Sequence, residues 1–339
     1  MTTPTQSPGR QIYDHIMGDI RFRLIHAVTE LGIADRIDAG THNVDDLSEE
    51  AGVDADVLYR VLRALASFGV FVETDDRCFD LTEQAQFLCD DSRGTLRDFV
   101  LYFGSDWRRQ TWDQLLGTLR SGEPCFDLAF GEPVFEHLQK YPDRAAIYNN
   151  VQSSNSAILT PQIATAYDFS QFDTLMDVGG GHGYLLAEIL KATPGLKGML
   201  FDLPGVSGEG TGLLDREGVA DRCTIFEGSF FDGLPVGADA IIMKSIIHDW
   251  DNDNATRILE NCRDAVGPDG KVLVCDVLLP GKNEPDVTKL FDLEMLAISG
   301  GRERTEPEFR QLLERAGLRL DSIYPTRVGT SLLESSVHR

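Results

Sequence analysis

The sequence predicts an α/β fold: a largely helical amino-terminal half followed by a mainly parallel sheet with helices on both faces. Three observations predict it. Apolar residues recur at spacings of three and four through the first hundred residues. From Thr174 onward, short aliphatic runs alternate instead with helical stretches. The segment DVGGGHGY, from Asp177 to Tyr184, joins the first of those runs to a helix.

In QIYDHIMGDIRFRLIHAVTELGIADRI, the spacing of Ile12, Ile16, Ile20, Leu24, Val28 and Leu31 predicts an amphipathic helix with one buried face. Next, NVDDLSEEAGVDADVLYRVLRALASFGVFVETDDRCFDLT predicts a short helix ending at Gly52, a second helix over about 54–68 and a small hairpin over about 70–81. That order is a winged helix-turn-helix arrangement. Its second helix carries only Arg60 and Arg63, while Asp45, Asp46, Glu49, Glu50, Asp54 and Asp56 crowd the region. A packing module for another protein chain fits this charge better than a reader of DNA. Residues 96–167 stay mostly helical, with Trp107, Trp112, Phe126, Phe130, Phe135 and Tyr148 spread across them to fill a core or wall a pocket. The strand-like runs are TLMDVG, KGMLFDL, CTIFEGS, ADAIIMKSII and KVLVCDVLL, with helices near 184–193, 212–220 and 255–266. Ligands of such sheets bind at the carboxyl ends of the strands.

Composition narrows the function classes. The 339 residues suffice for about two domains. Lys plus Arg number 31 against 55 Asp plus Glu, and the resulting net charge of −24 repels nucleic acid and anionic lipid. Six cysteines, at 78, 89, 125, 223, 262 and 275, form no CxxC pair, so reduced thiols are expected rather than a zinc ribbon or redox dithiol. No apolar run reaches the roughly eighteen residues of a membrane span, and MTTPTQSPGRQ lacks the apolar centre of a secretory signal. A cytoplasmic protein without membrane contact is expected.

A dinucleotide loop requires GxGxxG, but counting from Gly179 reaches Tyr184 and counting from Gly181 reaches Leu186. The triphosphate pattern GxxxxGK[ST] is also missing. What fits is DxGxGxG, with Asp177, Gly179, Gly181 and Gly183, followed by Asp202 in FDLPGV at the end of the next strand. An ionised carboxylate there can accept both hydroxyls of a ribose.

With DVGGGHGY, FDLPGV, EGSFF, MKSIIHDWDN, GKVLVCDVLLP and GGRERTEPEF in order, the chain resembles the S-adenosylmethionine-dependent O-methyltransferases of plant phenylpropanoids and bacterial aromatic or polyketide metabolites. The resemblance covers nearly the whole chain. It implies a Rossmann-like class I methyltransferase domain over 169–339, built on a mainly parallel seven-stranded sheet. It also implies a mostly helical winged-helix dimerisation domain over 1–95, and a helical connector over 96–168 that contributes to the acceptor pocket. A homodimer is expected, with S-adenosyl-L-methionine as cofactor, S-adenosyl-L-homocysteine as product and a small aromatic or polyketide acceptor. Asp177, Gly179 and Gly181 would lie at the methionine portion of the cofactor, Asp202 at the ribose, Ser229 and Phe230 at the adenine, and Lys244 beside the cofactor, with Leu203 and Gly228 as further cofactor contacts. Many relatives carry Asp where this chain has Ser229, whose hydroxyl accepts a hydrogen bond without charge assistance.

Methyl transfer needs the acceptor oxygen held close to the methyl carbon and relieved of its proton. Of seven histidines, His248 follows the strand-like run ADAIIMKSII inside the motif MKSIIHDWDN. An imidazole titrating near pH 6.5 can take a proton from a phenol titrating near 10. The resemblance puts the base at His248, flanked by Asp276 and Glu303. Asp276 replaces the glutamate usual in the plant branch and is one methylene shorter. A metal at HDWD is not expected, because the short spacing points the side chains apart. Met295 and Ile298 of FDLEMLAISGG, together with Asp249, Trp107 and Phe126, are the candidate acceptor contacts. An alternative is a diverged member that binds the cofactor but catalyses a non-methylating reaction on a similar metabolite.

Overall fold

Ser7 opens the first helix, Pro8–Glu30, by accepting the Arg10 N–H, and Pro8 supplies a backbone already shaped for the first turn. The computed structural model describes residues 7–92, 94–204, 212–327 and 329–338. Along this helix only Val28 and Thr29 are buried. Ile12, Ile16 and Ile20 remain 63%, 59% and 50% exposed, so the face expected to be buried is left open over its first half by the described chain.

The winged-helix order is as expected. Helix Val44–Ala51 ends at Gly52 in the left-handed region, and Asp54 caps helix Ala55–Ala66 by accepting the Val57 N–H. Strands β1 (Phe71–Asp75) and β2 (Cys78–Leu81) pair antiparallel. Leu47, Leu62, Leu65, Phe71 and Phe79 form the centre of this core. Two compact units result: Met1–Gln110 with Tyr141–Ser154, and Thr111–Lys140 with Asn155–Arg339.

The second unit contains the sheet, made of β3 (Thr174–Val178), β4 (Lys197–Asp202), β5 (Cys223–Glu227), β6 (Ala240–Lys244), β7 (Lys271–Val277), β8 (Leu318–Pro325) and β9 (Thr330–Val337). Its seven strands run in the order β5-β4-β3-β6-β7-β9-β8. The first five are parallel, and β9 pairs antiparallel with both β7 and β8. On one face, Ile241, Met243, Val272 and Val274 pack with Ile258 and Leu259 of helix Asn252–Val266 and Phe309 of helix Glu306–Arg315. On the other, Leu175, Leu200 and Ile242 pack with Leu186 and Ile189 of helix Tyr184–Ala192 and with Ile163. The strand order reverses beside β3, which opens a crevice at the carboxyl ends of β3 and β6.

Two details depart from the sequence reading. ADAIIMKSII is strand only to Lys244; Ser245 takes φ 56 and turns the chain out of the sheet, its N–H donating to Cys275 O at 3.0 Å. His248 therefore sits on the single-turn 3-10 helix Ile247–Asp249 rather than on a strand end. Strands β8 and β9 were absent from the strand-like runs; β8 buries only Leu318 and Leu320, and β9 buries Ser331, Glu334 and Ser335 beside Leu332 and Leu333. Glu334 of β9 is buried yet pairs with Lys271 of β7 and accepts from Tyr324 of β8, so cross-strand partners replace apolar alternation.

Candidate active site

The glycine bend begins where β3 ends. Gly179 adopts φ 68 and donates to Phe201 O at 2.8 Å, tying the bend to β4, and a Cβ there would stand 2.4 Å from Ile246 Cδ1. Only glycine satisfies both the left-handed backbone and the close approach. Gly181 N donates to Asp202 Oδ2 at 2.7 Å, while the space its Cβ would enter holds no atom within 4 Å. Leu203 N donates to Asp202 Oδ1 at 2.6 Å. Two backbone N–H groups thus orient the Asp202 carboxylate and leave each oxygen a further lone pair. Burial holds its pKa above the usual carboxylate range, and the two N–H bonds oppose that rise.

Around this carboxylate lie the other expected cofactor contacts. Gly228 N donates to Asp202 O at 3.0 Å, and Leu203 is 47% exposed. Ser229 Oγ accepts the Phe231 N–H at 3.2 Å, and the Phe230 ring packs edge-on to Phe231 and Trp250. Beneath the bend, burial pushes Asp177 up to about 7 against the pull of Lys244, and its Oδ2 has no hydrogen-bond partner among the described residues. Lys244 Nζ donates to Ser156 Oγ at 3.2 Å, with burial lowering its pKa while Asp177 and Asp276 raise it.

At the neighbouring strand end, three carboxylates surround one imidazole. His248 Nδ1 lies 2.8 Å from Glu303 Oε1, and because an ionised carboxylate only accepts, Nδ1 carries the hydrogen. Asp276 Oδ1 stands 3.9 Å from the same nitrogen, outside hydrogen-bond range, and neither of its oxygens has a partner among the described residues. The shorter aspartate thus faces the ring across a gap and leaves the bond to Glu303. Asp249 Oδ1 lies 4.0 Å from Nε2. Burial alone would push the imidazole pKa down, but Asp276, Glu303 and Asp249 outweigh it and hold the ring up at about 10. Burial raises Asp276 and Asp249 in turn, with His248 opposing. A ring so placed is a stronger base than a free imidazole.

Backbone packing assembles the centre. Arg302 N donates to His248 O at 2.7 Å, and a Cβ on Gly301 would stand 2.0 Å from that oxygen, so the GGRERT segment must carry glycine where it crosses the His248 turn. Glu303 N donates to Asp292 Oδ1 at 2.9 Å, and Leu279 N donates to Arg304 O at 3.0 Å just beyond β7. Met295 and Ile298 close helix Thr288–Ile298, whose inner side also carries buried Glu294, the acceptor of Trp112 Nε1 at 3.1 Å. Phe126 is fully buried against Phe130 and His137, and Trp107 is buried in the other unit with its ring edge-on to Tyr102. As placed, neither ring offers an open face to a ligand.

Two charged groups escaped the sequence reading: Glu294, a lone carboxylate in the apolar run FDLEMLAI, and Arg304, the second arginine of GGRERT. Both are buried. A charge inside an apolar or glycine-rich motif was the available signal. Among the described residues, no group of three or more His, Cys, Asp and Glu side chains is arranged to hold a metal ion.

Fold and site together define a class I methyltransferase with a histidine–carboxylate centre. Residues 112–319 match the O-methyltransferase domain and residues 13–91 the O-methyltransferase dimerisation domain. The phenazine O-methyltransferase of Lysobacter antibioticus is 35% identical over 311 residues, 92% of this chain and 91% of that one. The structure of a mitomycin 7-O-methyltransferase superposes with a TM-score of 0.90 at 35% identity, covering 97% of each chain. An O-methyltransferase from neocarzinostatin biosynthesis, solved with S-adenosylmethionine and 2-hydroxy-5-methyl naphthoic acid, gives a TM-score of 0.81 at 30% identity over 93% of this chain and 95% of that one. The chain belongs to the O-methyltransferase family and is an O-methyltransferase.

Proposed function

We propose that this enzyme transfers a methyl group from S-adenosylmethionine to a hydroxyl of an aromatic or polyketide-type small molecule, with His248 taking the hydroxyl proton. The observation that carries the reading is the Nδ1 bond from His248 to Glu303 at 2.8 Å, which leaves Nε2 to receive a proton. The bend fits the cofactor. Open space at Gly181, a spare lone pair on each Asp202 oxygen and the unpartnered Asp177 Oδ2 are what a ribose and an amino-acid moiety require. Asp177, Gly179, Gly181, Asp202, Leu203, Gly228, Ser229, Phe230 and Lys244 would hold it, and when bound it supplies a methyl group on a positively charged sulfur.

The chain's own residues then do three things. Met295 and Ile298 hold a flat acceptor by its apolar faces, and Asp249 lies where a polar edge of it would meet a carboxylate. Neutral His248 receives the hydroxyl proton at Nε2. Glu303, with Asp276 behind it, stabilises the imidazolium that forms, as a carboxylate does in hydrolase triads. A ring held near 10 matches the pKa of a phenol, so proton transfer between them is close to balanced.

A phenazine O-methyltransferase, a mitomycin 7-O-methyltransferase and an O-methyltransferase solved with 2-hydroxy-5-methyl naphthoic acid bound, as relatives, support the acceptor class. The open apolar face of helix Pro8–Glu30, inside the segment matching the dimerisation domain, supports a homodimer. Six free cysteines suit a cytoplasmic enzyme, and no helix among the described residues is long and apolar enough to cross a membrane. The test is incubation with methyl-labelled cofactor and a panel of hydroxynaphthoates, hydroxyphenazines and hydroquinones. A product heavier by one methyl is expected; cofactor binding without product from any acceptor refutes the reading. His248→Ala should lower kcat by about 10² to 10⁴ with cofactor affinity unchanged.

A further inference from the structure

Arg304 is 1% exposed, an unusual place for a permanent cation. Its burial is compensated by one set of partners. Nη1 donates to Ile247 O at 3.1 Å and to Arg302 O at 3.3 Å. Nη2 donates to Trp250 O at 2.9 Å and to Asn252 Oδ1 at 3.1 Å, and Nε reaches the same Oδ1 at 3.2 Å. Every guanidinium nitrogen is spent on the stretch 247–252 or on the residue two before Arg304 itself. That stretch is the turn that carries His248.

We propose that Arg304 is a positioning residue for methyl transfer, its planar fork holding the turn 247–252 so that His248 keeps Nδ1 on Glu303 and Nε2 toward the acceptor. The proposal rests on the reading of His248 as proton acceptor. A single-turn 3-10 helix has almost no internal hydrogen bonding to resist rotation, and its carbonyls need outside donors. Arg304 supplies donors to Ile247 and Trp250, one on each side of His248. The residue before Arg304 is Glu303, so one short backbone segment presents both the carboxylate that binds the imidazole and the cation that binds the imidazole's own turn. Any slip between the two segments is opposed from both ends. Arg304 also faces Asp276 as a positive charge, which favours its ionised form. Lysine would keep the charge but not the planar fork, so it cannot span Ile247 O, Trp250 O and Asn252 together.

The test compares Arg304→Lys, Arg304→Met and Asn252→Ala, each made in the parent enzyme and in His248→Ala. Labelled product gives kcat and acceptor KM, and calorimetry gives cofactor affinity. Arg304→Lys is expected to lower kcat by about ten- to hundredfold, as a small misplacement of a catalytic group does, with cofactor affinity kept within about twofold. Arg304→Met should fall at least as far. Asn252 is exposed, so its replacement spares folding and should cost a smaller factor, about three- to tenfold, again in kcat. In His248→Ala none of the three changes should cost anything more, because the group being aimed is gone.

Full parental kcat in Arg304→Lys would overturn the proposal, and so would an equal loss of kcat with and without His248. Should Arg304→Lys fail to fold, Asn252→Ala decides alone: an unchanged parental kcat, or the same loss in both backgrounds, overturns it. An unaltered kcat in His248→Ala overturns the base reading itself, whereas an impaired His248→Ala with an unaffected Arg304→Lys overturns only the role of Arg304.

Discussion

Replacing Glu303 with glutamine removes one negative charge from the His248 cluster while keeping the side chain's size. The carboxylate accepts the Nδ1 hydrogen at 2.8 Å with both groups largely shielded from water, so the bond is charge-assisted and buried. A hydrogen bond to a charged group contributes about 1.5–3 kcal/mol, and one pKa unit corresponds to about 1.36 kcal/mol, so the imidazole should lose about one to two units. Starting from about 10, and with Asp276 and Asp249 still in place, the ring should titrate at roughly 8–9. The sign follows from the role: proton acceptance requires the neutral ring, so kcat/KM rises with pH through the ring's pKa. Glu303→Gln should move that ascending limb toward acid by one to two units and lower its plateau, because a weaker base drives proton transfer less well. The assay is methylated product measured by mass from about pH 6 to 11. Two acceptors whose hydroxyls titrate at different pH separate the enzyme's limb from the substrate's. A limb at the same pH in parent and variant would refute the assignment of the titrating group, and a limb that follows only the acceptor's hydroxyl would remove His248 from the proton transfer.

Other outcomes can be checked separately. Asp202→Ala should weaken cofactor binding by roughly ten- to hundredfold in a calorimetric titration, through loss of charge-assisted bonds at the bend, while the unliganded protein keeps its circular dichroism. Gly301→Ala places a Cβ 2.0 Å from His248 O, so it should cost about 1–3 kcal/mol in denaturant unfolding and lower kcat together with stability. Ile16→Glu with Ile20→Glu should convert a dimer to monomer in light scattering, because charges on an apolar interface are left unpaired; an unchanged mass would remove that face from the interface.

Short-range signals were legible wherever the chain's own neighbours decide the conformation. Asp54 before an apolar-periodic stretch and Gly52 after one marked helix ends found at those residues, and the glycine bend is where DVGGGHGY put it. The five strand-like runs recognised from Thr174 onward are the parallel strands; β3, β4, β6 and β7 have buried interiors that leave an apolar run, whereas β5 at the sheet edge buries no residue. Strand β9 escaped because a buried Glu334 reads as polar until Lys271 and Tyr324 are seen beside it, and β8 because only Leu318 and Leu320 of its eight residues are buried.

By itself, then, the sequence determined the α/β plan and the bend that excludes dinucleotide and triphosphate patterns, both of which depend on spacing and on residue chemistry, which are local. His248 with Asp276 and Glu303 came from the resemblance to the methyltransferase family. Tertiary structure alone decided that Glu303 and not Asp276 bonds the imidazole, that three carboxylates raise its pKa, that Arg304 ties down its turn, and that the first helix keeps an open apolar face. Distances of a few ångströms between segments far apart along the chain, such as the 55 residues from His248 to Glu303, set most of these, and no periodicity along a chain records them.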